Sequence, residues 1–170
     1  MYQFPSHDQG GEVVRLAREL YKEGHTDKIH VKVDDTGIGA GVTDTLNHVI
    51  KEEKGKALDR MEFNIEIIPV INNGKATDSD YKDFGSQMWG NMKFAIDTIR
   101  IPEDDDLIAQ MSTRKYKVEP DGKIKLEKKD DMKKRELPSP DRADALALCL
   151  MPMNTYSFDD VGFESGDGDR

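Results

Sequence analysis

The chain has 170 residues, of which 36% are hydrophobic and 35% are charged, and its formal net charge is −9. This length suits one domain with one core, and the composition is not that of a wholly disordered chain. No apolar run approaches the roughly 18 residues of a transmembrane helix. The first ten residues lack the basic and apolar regions of a signal peptide. The single cysteine, Cys149, excludes an internal disulfide and a cysteine-based zinc cluster, and its apolar surroundings predict a buried position.

The negative charge is unevenly distributed along the chain. Residues 157–170 are acidic and glycine-rich and predict a disordered tail, whereas Lys123–Arg135 is rich in lysine. A nucleic-acid-binding protein usually carries a basic surface, so the net charge argues against that function. Nucleic-acid binding nevertheless stays possible through the local basic segment, because a net charge does not show how charges are distributed.

The first half of the chain predicts two helices and two strands. Residues 1–11 are polar and predict an entry loop, after which a helix begins at Glu12. Its apolar stripe consists of Val13, Leu16, Ala17, Leu20 and Tyr21. Alternation from Ile29 to Val33 predicts a strand. A second helix follows, with Val42, Leu46, Val49 and Ile50 on one face. The run Phe63–Ile71 predicts a strand that is buried on both faces at its end.

The second half predicts three helices and a hairpin. Apolar spacing predicts a long helix over residues 81–96 and a short one over 104–111. Two short alternating runs flank the turn Glu119–Gly122, which is typical of a β-hairpin. The last helix spans about 141–150, with Ser139 in position to cap it. Helices that alternate with strands predict an α/β sheet with parallel strands.

Two acidic pairs are candidates for chemistry. Asp34 and Asp35 follow the first strand, and ligands in open α/β sheets bind beyond the carboxyl ends of strands. Asp141 and Asp144 lie one turn apart at the start of the last helix, where small residues at 143, 145 and 147 allow close packing on a sheet. Carboxylates that meet at one edge suit a hard divalent cation. The alternative is that the first pair caps a turn and the second favours a helix N-terminus.

The glycines at 37, 39 and 41 offer a third interpretation, a nucleotide-binding α/β module. Their spacing fails the dinucleotide-binding fingerprint, and no phosphate-binding loop of the nucleotide triphosphatase type occurs in the chain. The acidic pair that precedes them would also repel a pyrophosphate. A tight strand-to-helix turn is the simpler explanation.

Taken in order, four segments resemble the C-terminal nuclease domain of phage and prophage large terminases. They are Val33–Val42, Tyr81–Trp89, the hairpin segment Gly122–Asp130, and Ser139–Leu146. The resemblance implies an RNase H-like fold, a mixed sheet flanked by helices. It also implies a hydrolase that cuts DNA with two Mg²⁺ or Mn²⁺ ions held by acidic residues.

The resemblance assigns site residues by position. It assigns the family's second acidic position to Asp34, with Asp35 as the other choice, so that Asp34, Asp35 and Asp144 are the candidate metal ligands. It assigns the last acidic position to Asp144, which Asp141 assists, so that the candidate catalytic residues are Asp34, Asp144 and Asp141. The candidate DNA contacts are Lys123, Lys125, Lys128 and Lys129. A solvated hairpin without DNA contact is the alternative for these lysines.

One departure from the family pattern concerns the start of the domain. The family's first acidic residue lies on an opening strand, yet only a short polar segment precedes the first helix here. We therefore expect an N-terminally truncated nuclease domain over residues 12–153, without the ATPase domain. The expected function is a terminase endonuclease that cuts concatemeric DNA in the cytoplasm of an infected or lysogenic bacterium. Its expected partners are double-stranded DNA, the ATPase domain, the small terminase subunit and the portal. The alternative is a non-catalytic remnant that binds DNA or a packaging partner.

Overall fold

The structure, a computed structural model, describes residues 6–25, 28–36, 40–56, 65–71, 74–101 and 103–152. The predicted acidic tail and the glycines at 37 and 39 lie outside these ranges. The elements in chain order are α1 (Ser6–Lys22), β1 (Ile29–Asp34), α2 (Ala40–Lys56), β2 (Ile65–Val70), α3 (Phe84–Ala95), a short 3-10 helix (Ile96–Thr98), α4 (Asp105–Thr113), β3 (Tyr116–Val118), β4 (Ile124–Leu126), α5 (Lys129–Lys134) and α6 (Asp141–Cys149).

The strands form two small sheets. β1 and β2 pair in parallel from Ile29↔Ile65 to Asp34↔Val70, which confirms the predicted parallel arrangement. β3 and β4 pair as the predicted antiparallel hairpin. A parallel bridge between Tyr81 and Ile124 ties this hairpin to the segment before α3. Within the described residues the two sheets remain separate, so the single mixed sheet expected from the resemblance is here divided into two.

The first helix departs from its prediction in length and in orientation. α1 begins at Ser6, so part of the predicted entry loop is helical, although two glycines at 10 and 11 weaken that turn. Val14 and Ala17 are buried, whereas Leu16 and Leu20 of the predicted stripe are 46% and 38% exposed. The reason is that α1 packs against α2, and this neighbour covers a face rotated from the predicted one.

The main core lies where α3, α4, α6 and β2 meet. Its buried members are Ile68, Val70, Phe84, Met88, Trp89, Met92, Leu107, Ala143, Ala147, Leu148 and Met151. Ala143 and Ala147 are fully buried, and α6 contacts α3, α4 and β1. This supports the expected close packing of the last helix, although Ala145 points outward. Cys149 is exposed, so the prediction that it is buried is wrong, because it lies on the outer face of α6.

A lysine fixes the end of α6 to the first strand. Lys32 on β1 donates to the carbonyl oxygen of Cys149 at 2.8 Å and to that of Met151. Such carbonyls have no partner within their own helix, and a cation satisfies both their hydrogen bonding and the helix dipole. Burial lowers the pKa of Lys32. This contact holds α6 over β1 and thereby sets where the first turn of α6 lies.

The described helices include none that is both long and apolar enough to cross a membrane.

Gly90 on α3 permits a close approach that we expect to be sensitive to substitution. A Cβ at this position would lie 2.2 Å from the hydroxyl oxygen of Tyr81 and 2.4 Å from a ring carbon. Tyr81 is buried, and its whole ring would have to shift to make room for the added methyl group. Gly90→Ala should therefore lower the free energy of unfolding by about 1–3 kcal/mol, measured by urea denaturation. Gly11→Ala is the matched helical control, because nothing lies within 4 Å of its Cβ. Equal stability of Gly90→Ala and the parent chain would contradict the expected clash.

Candidate active site

Three carboxylates from three different elements line one cleft. Asp34 ends β1, Asp83 precedes α3, and Asp144 lies in the first turn of α6. The cleft has a volume of about 450 Å³. Its remaining lining residues are Thr36, Gly85, Met88, Trp89, Arg114, Leu126 and Lys129. The edge of the parallel sheet, the N-terminus of α3 and the start of α6 therefore converge at this place.

Asp144 is the most heavily bonded of the three carboxylates. Its Oδ1 accepts hydrogen bonds from Nε1 of Trp89 at 2.7 Å and from a terminal nitrogen of Arg114 at 2.7 Å. Its Oδ2 lies 2.8 Å from Nζ of Lys129. The side chain is only 16% exposed. An indole N–H and two cations thus compensate for removing this charge from water.

Arg114 is a cation that is almost fully buried, with a side chain 9% exposed. Besides pairing with Asp144, it donates from Nε to the carbonyl oxygen of Glu127 at 3.1 Å. Its guanidinium lies over the ring of Trp89, 4.7 Å from the centroid. Burial lowers the pKa of Arg114, and the charge of Asp144 opposes that shift. The arginine therefore joins the hairpin, α3 and α6 through one side chain.

Lys129 occupies the mouth of the cleft. Its Nζ lies 2.8 Å from Asp144 and 3.4 Å from Asp141, and its side chain is 47% exposed. Burial disfavours the charged ammonium, but the two carboxylates outweigh this effect and raise the pKa of Lys129. Among the predicted DNA contacts, Lys129 is thus the one that faces the acidic cleft.

The two aspartates after β1 occupy different environments. Asp34 lines the cleft, and its Oδ1 accepts from the backbone N–H of Thr36 at 3.1 Å. The backbone N–H of Asp35 donates to Val70 at 2.9 Å and so extends the strand ladder. Asp35 is not among the lining residues, and its buried Oδ1 has no hydrogen-bond partner among the residues that the structure describes. The alternation of strand side chains explains why only one member of the pair reaches the cleft.

Asp141 lies at the edge of this arrangement and does not line the cleft. It is 54% exposed and accepts from the hydroxyl of Ser139 at 2.5 Å and from Lys129. The prediction that Ser139 caps α6 is wrong, because Pro140 occupies the N-cap position and no side chain there caps the helix. The side-chain oxygen of Gln110 instead accepts from the backbone N–H groups of Arg142 and Ala143, at 2.9 and 3.1 Å. A residue of α4 thus satisfies donors at the α6 N-terminus.

Among the polar groups of the cleft, Asp83, Arg114 and the indole N–H of Trp89 were not predicted from the sequence. Asp83 caps α3, and its Oδ1 accepts from the backbone and hydroxyl of Ser86 at 2.8 and 2.6 Å. An aspartate directly before an apolar helical run is a recognisable cap signal. Arg114 and the indole N–H of Trp89 carried no comparable signal, because their partner is distant in sequence.

Further lysines line a separate groove beside the hairpin, which we call the lysine groove. It has a volume of about 670 Å³. Its basic lining residues are Lys115, Lys117, Lys125, Lys128 and Lys134. Lys125 and Lys128 make no ion pair with any residue in the described part of the chain. Lys123 is not among the lining residues of this groove.

The donors of the cleft have the right chemistry for a hard divalent cation, but they are spread apart. Carboxylate oxygens suit Mg²⁺ and Mn²⁺. Nevertheless, within the described ranges no three acidic, histidine or cysteine side chains come together closely enough to hold one metal ion. Lys129 neutralises Oδ2 of Asp144.

The fold is similar to that of solved nuclease domains of a large terminase subunit, which confirms the predicted α/β class with sheets flanked by helices. The matching solved structures include the nuclease domain of the large terminase subunit gp2 of bacterial virus Sf6. A mutant form with manganese has a TM-score of 0.54 and 17% identity, and the match covers 80% of this chain and 70% of that one. A second form without a named metal has a TM-score of 0.51 and 18% identity, covering 80% and 69%. No protein-family model and no curated protein matches the chain.

Removing the charge centre of the cleft should destabilise the fold. Asp144→Ala leaves the buried Arg114 without its carboxylate, so we expect the free energy of unfolding to fall by about 3 kcal/mol or more. Asp144→Asn keeps an acceptor for Trp89 and should lose less. Asp141→Ala is the control, because this exposed residue should change stability by no more than about 0.5 kcal/mol. Urea denaturation measures all three, and similar losses for Asp144→Ala and Asp141→Ala would refute the assignment of Asp144 as the structural centre.

Proposed function

We propose that this chain is a metal-dependent endodeoxyribonuclease domain of the terminase type. The observation that carries the proposal is the convergence of Asp34, Asp83 and Asp144 in one cleft of an RNase H-like terminase nuclease fold. Solved neighbours contain manganese or calcium, which supports a requirement for a divalent cation. The nuclease named in these neighbours supports DNA as the substrate, and double-stranded DNA belongs to the proposal.

The three carboxylates of the cleft would hold Mg²⁺ or Mn²⁺. Such ions would supply Lewis-acid activation of a water and of the cleaved phosphodiester. Asp34 and Asp83 each have one oxygen that accepts no hydrogen bond from the described residues, so these two are available to a cation. Asp144 contributes Oδ2, which now pairs with Lys129.

The cationic side chains around the cleft would have two roles. Some would bind DNA phosphates, and others would hold the carboxylates in position. Lys129 is half-exposed at the mouth, where its ammonium can donate to a phosphate oxygen. Arg114 and Trp89 hold Oδ1 of Asp144 in one orientation from the buried side. Lysines of the neighbouring groove would then contact phosphates without reading sequence. This division explains how a chain with a net charge of −9 can bind a polyanion.

A specific observation favours the second candidate, a DNA-binding protein that does not cut. Every oxygen of Asp144 already has a cationic partner, and the described residues do not form an assembled ligand cluster. Under this alternative Asp144 serves the fold alone, and the lysine groove binds duplex DNA without cleavage.

Replacing an aspartate of the cleft by asparagine removes its charge with little change of shape. Such variants distinguish a nuclease from a DNA-binding protein that does not cut. We expect Mn²⁺ binding by calorimetry and nicking of supercoiled plasmid in Mn²⁺, with both lost in Asp34→Asn and Asp83→Asn. Asparagine retains the Thr36 contact at position 34 and the helix cap at position 83, so the fold should persist. Asp106→Asn is the control, because this aspartate is 74% exposed and lies outside the cleft. Plasmid binding without Mn²⁺ uptake or nicking in the parent chain would favour the non-catalytic alternative.

The lysines of the lysine groove are the basis of a separate prediction about affinity for duplex DNA. Lys125→Ala and Lys128→Ala should each weaken binding, whatever the sequence of the duplex. Each should also reduce the slope of log K against log salt by about 1, since about one counterion is released per phosphate contact. Fluorescence anisotropy over a salt series measures both quantities, and Lys75→Ala outside the groove is the control. An unchanged slope would show that these lysines form only a solvated hairpin.

A further inference from the structure

A second cavity adjoins the acidic cleft, and the function proposed above does not use it. This aromatic pocket has a volume of about 370 Å³, within the range of roughly 300–1,000 Å³ that is typical of ligand sites. It lies between α3, the end of α4 and the hairpin. Four aromatic side chains line it: Tyr81, Trp89, Phe94 and Tyr116. Trp89, Arg114 and Leu126 also line the acidic cleft, so the two cavities are neighbours.

Two of the rings stand largely open to water. Phe94 is 76% exposed and Tyr116 is 60% exposed, although both line the pocket. The ammonium of Lys93 lies 5.5 Å from the ring centroid of Tyr116. Exposed rings with a cation beside them provide stacking and cation–π interactions for a flat, electron-rich group.

The pocket also adjoins the lysine groove, which five lysines and three carboxylates line. Tyr116 lines both the aromatic pocket and the lysine groove, where Lys115 and Lys117 flank it in sequence. A strand whose phosphates follow the groove therefore passes the mouth of the pocket at Tyr116. A nucleic-acid strand combines the two properties that this surface matches, a chain of negative charges and flat bases that can stack.

We propose that the aromatic pocket binds an unpaired nucleobase of a DNA strand whose phosphates lie in the lysine groove. The choice of DNA rests on the proposed function, and the substrate class becomes DNA with unpaired nucleotides beside the acidic cleft. A bound protein fits the surface less well, because the buried centres of protein interfaces are depleted in lysine. Here Lys93 lines the pocket, and Lys115 and Lys117 flank Tyr116 at its edge.

Comparison of a normal and an abasic single strand tests the stacking directly. Binding is measured without divalent metal by anisotropy, for a labelled single strand, for the same strand with abasic sites, and for a duplex. Tyr116→Ala and Phe94→Ala should each weaken binding of the normal strand about tenfold. Binding of the abasic strand and of the duplex should change little. Tyr116→Phe retains a ring and should retain affinity, and Val118→Ala is the control, because it alters an exposed apolar residue outside the pocket.

The only tryptophan of the chain provides a second readout that does not depend on variants. Trp89 lines the pocket, so the normal single strand should quench its fluorescence and the abasic strand should not.

Equal affinity of the parent chain for normal and abasic strands would overturn the stacking inference, while salt-dependent duplex binding would leave the proposed function standing. Failure to bind any of the three DNAs would overturn both. Variants that change the sedimentation of the chain but not its affinity for the normal strand would identify the pocket as a contact between copies, which also overturns the inference.

Discussion

Asp144 accepts hydrogen bonds from Trp89 on α3 and from Arg114 before the hairpin, and it pairs with Lys129 on α5. A guanidinium as buried as that of Arg114 is costly to remove from water unless a carboxylate meets it. This pairing therefore fixes the hairpin against α3 and α6. It also determines which residues line the acidic cleft, the aromatic pocket and the space between them, because Arg114 and Trp89 belong to both cavities.

The position of α6 depends on contacts that the helix itself does not encode. Gln110 on α4 satisfies its first backbone donors, and Lys32 on β1 satisfies its last carbonyls. With both ends held by other elements, the fully buried Ala143 and Ala147 allow the helix to lie close to its neighbours. The first-turn carboxylate of Asp144 thereby comes to the same edge as Asp34. Neither Gln110 nor Lys32 alone would place it there, because a helix that is held at one end can still pivot about that end.

Local sequence patterns predicted which helices and strands form better than they predicted which residues of those elements are buried. The parallel β1–β2 pair, the hairpin and α6 follow from alternation, turn residues and spacing, which are properties of a few consecutive residues. The extent of α1 and the identity of its buried face do not follow from such local patterns. The reason is that α2 determines which side of α1 is covered. In the site, Asp34 and Asp144 were identified through the family resemblance. Arg114 was not, since a buried ion pair between residues 114 and 144 has no signal in either segment. Asp83 was not either, although its position directly before α3 is a helix-cap signal.

The two oxygens of Asp144 divide two roles that would otherwise conflict. Oδ1 faces the buried side, where Trp89 and Arg114 hold it and where loss of the carboxylate would leave a buried cation unpaired. Oδ2 faces Lys129, whose side chain is 47% exposed at the mouth of the cleft. Replacement of the ammonium by a divalent cation would keep a positive charge at Oδ2 and leave the bonds at Oδ1 undisturbed. Under the proposed function, one residue can thus hold the fold together and still serve as a metal ligand.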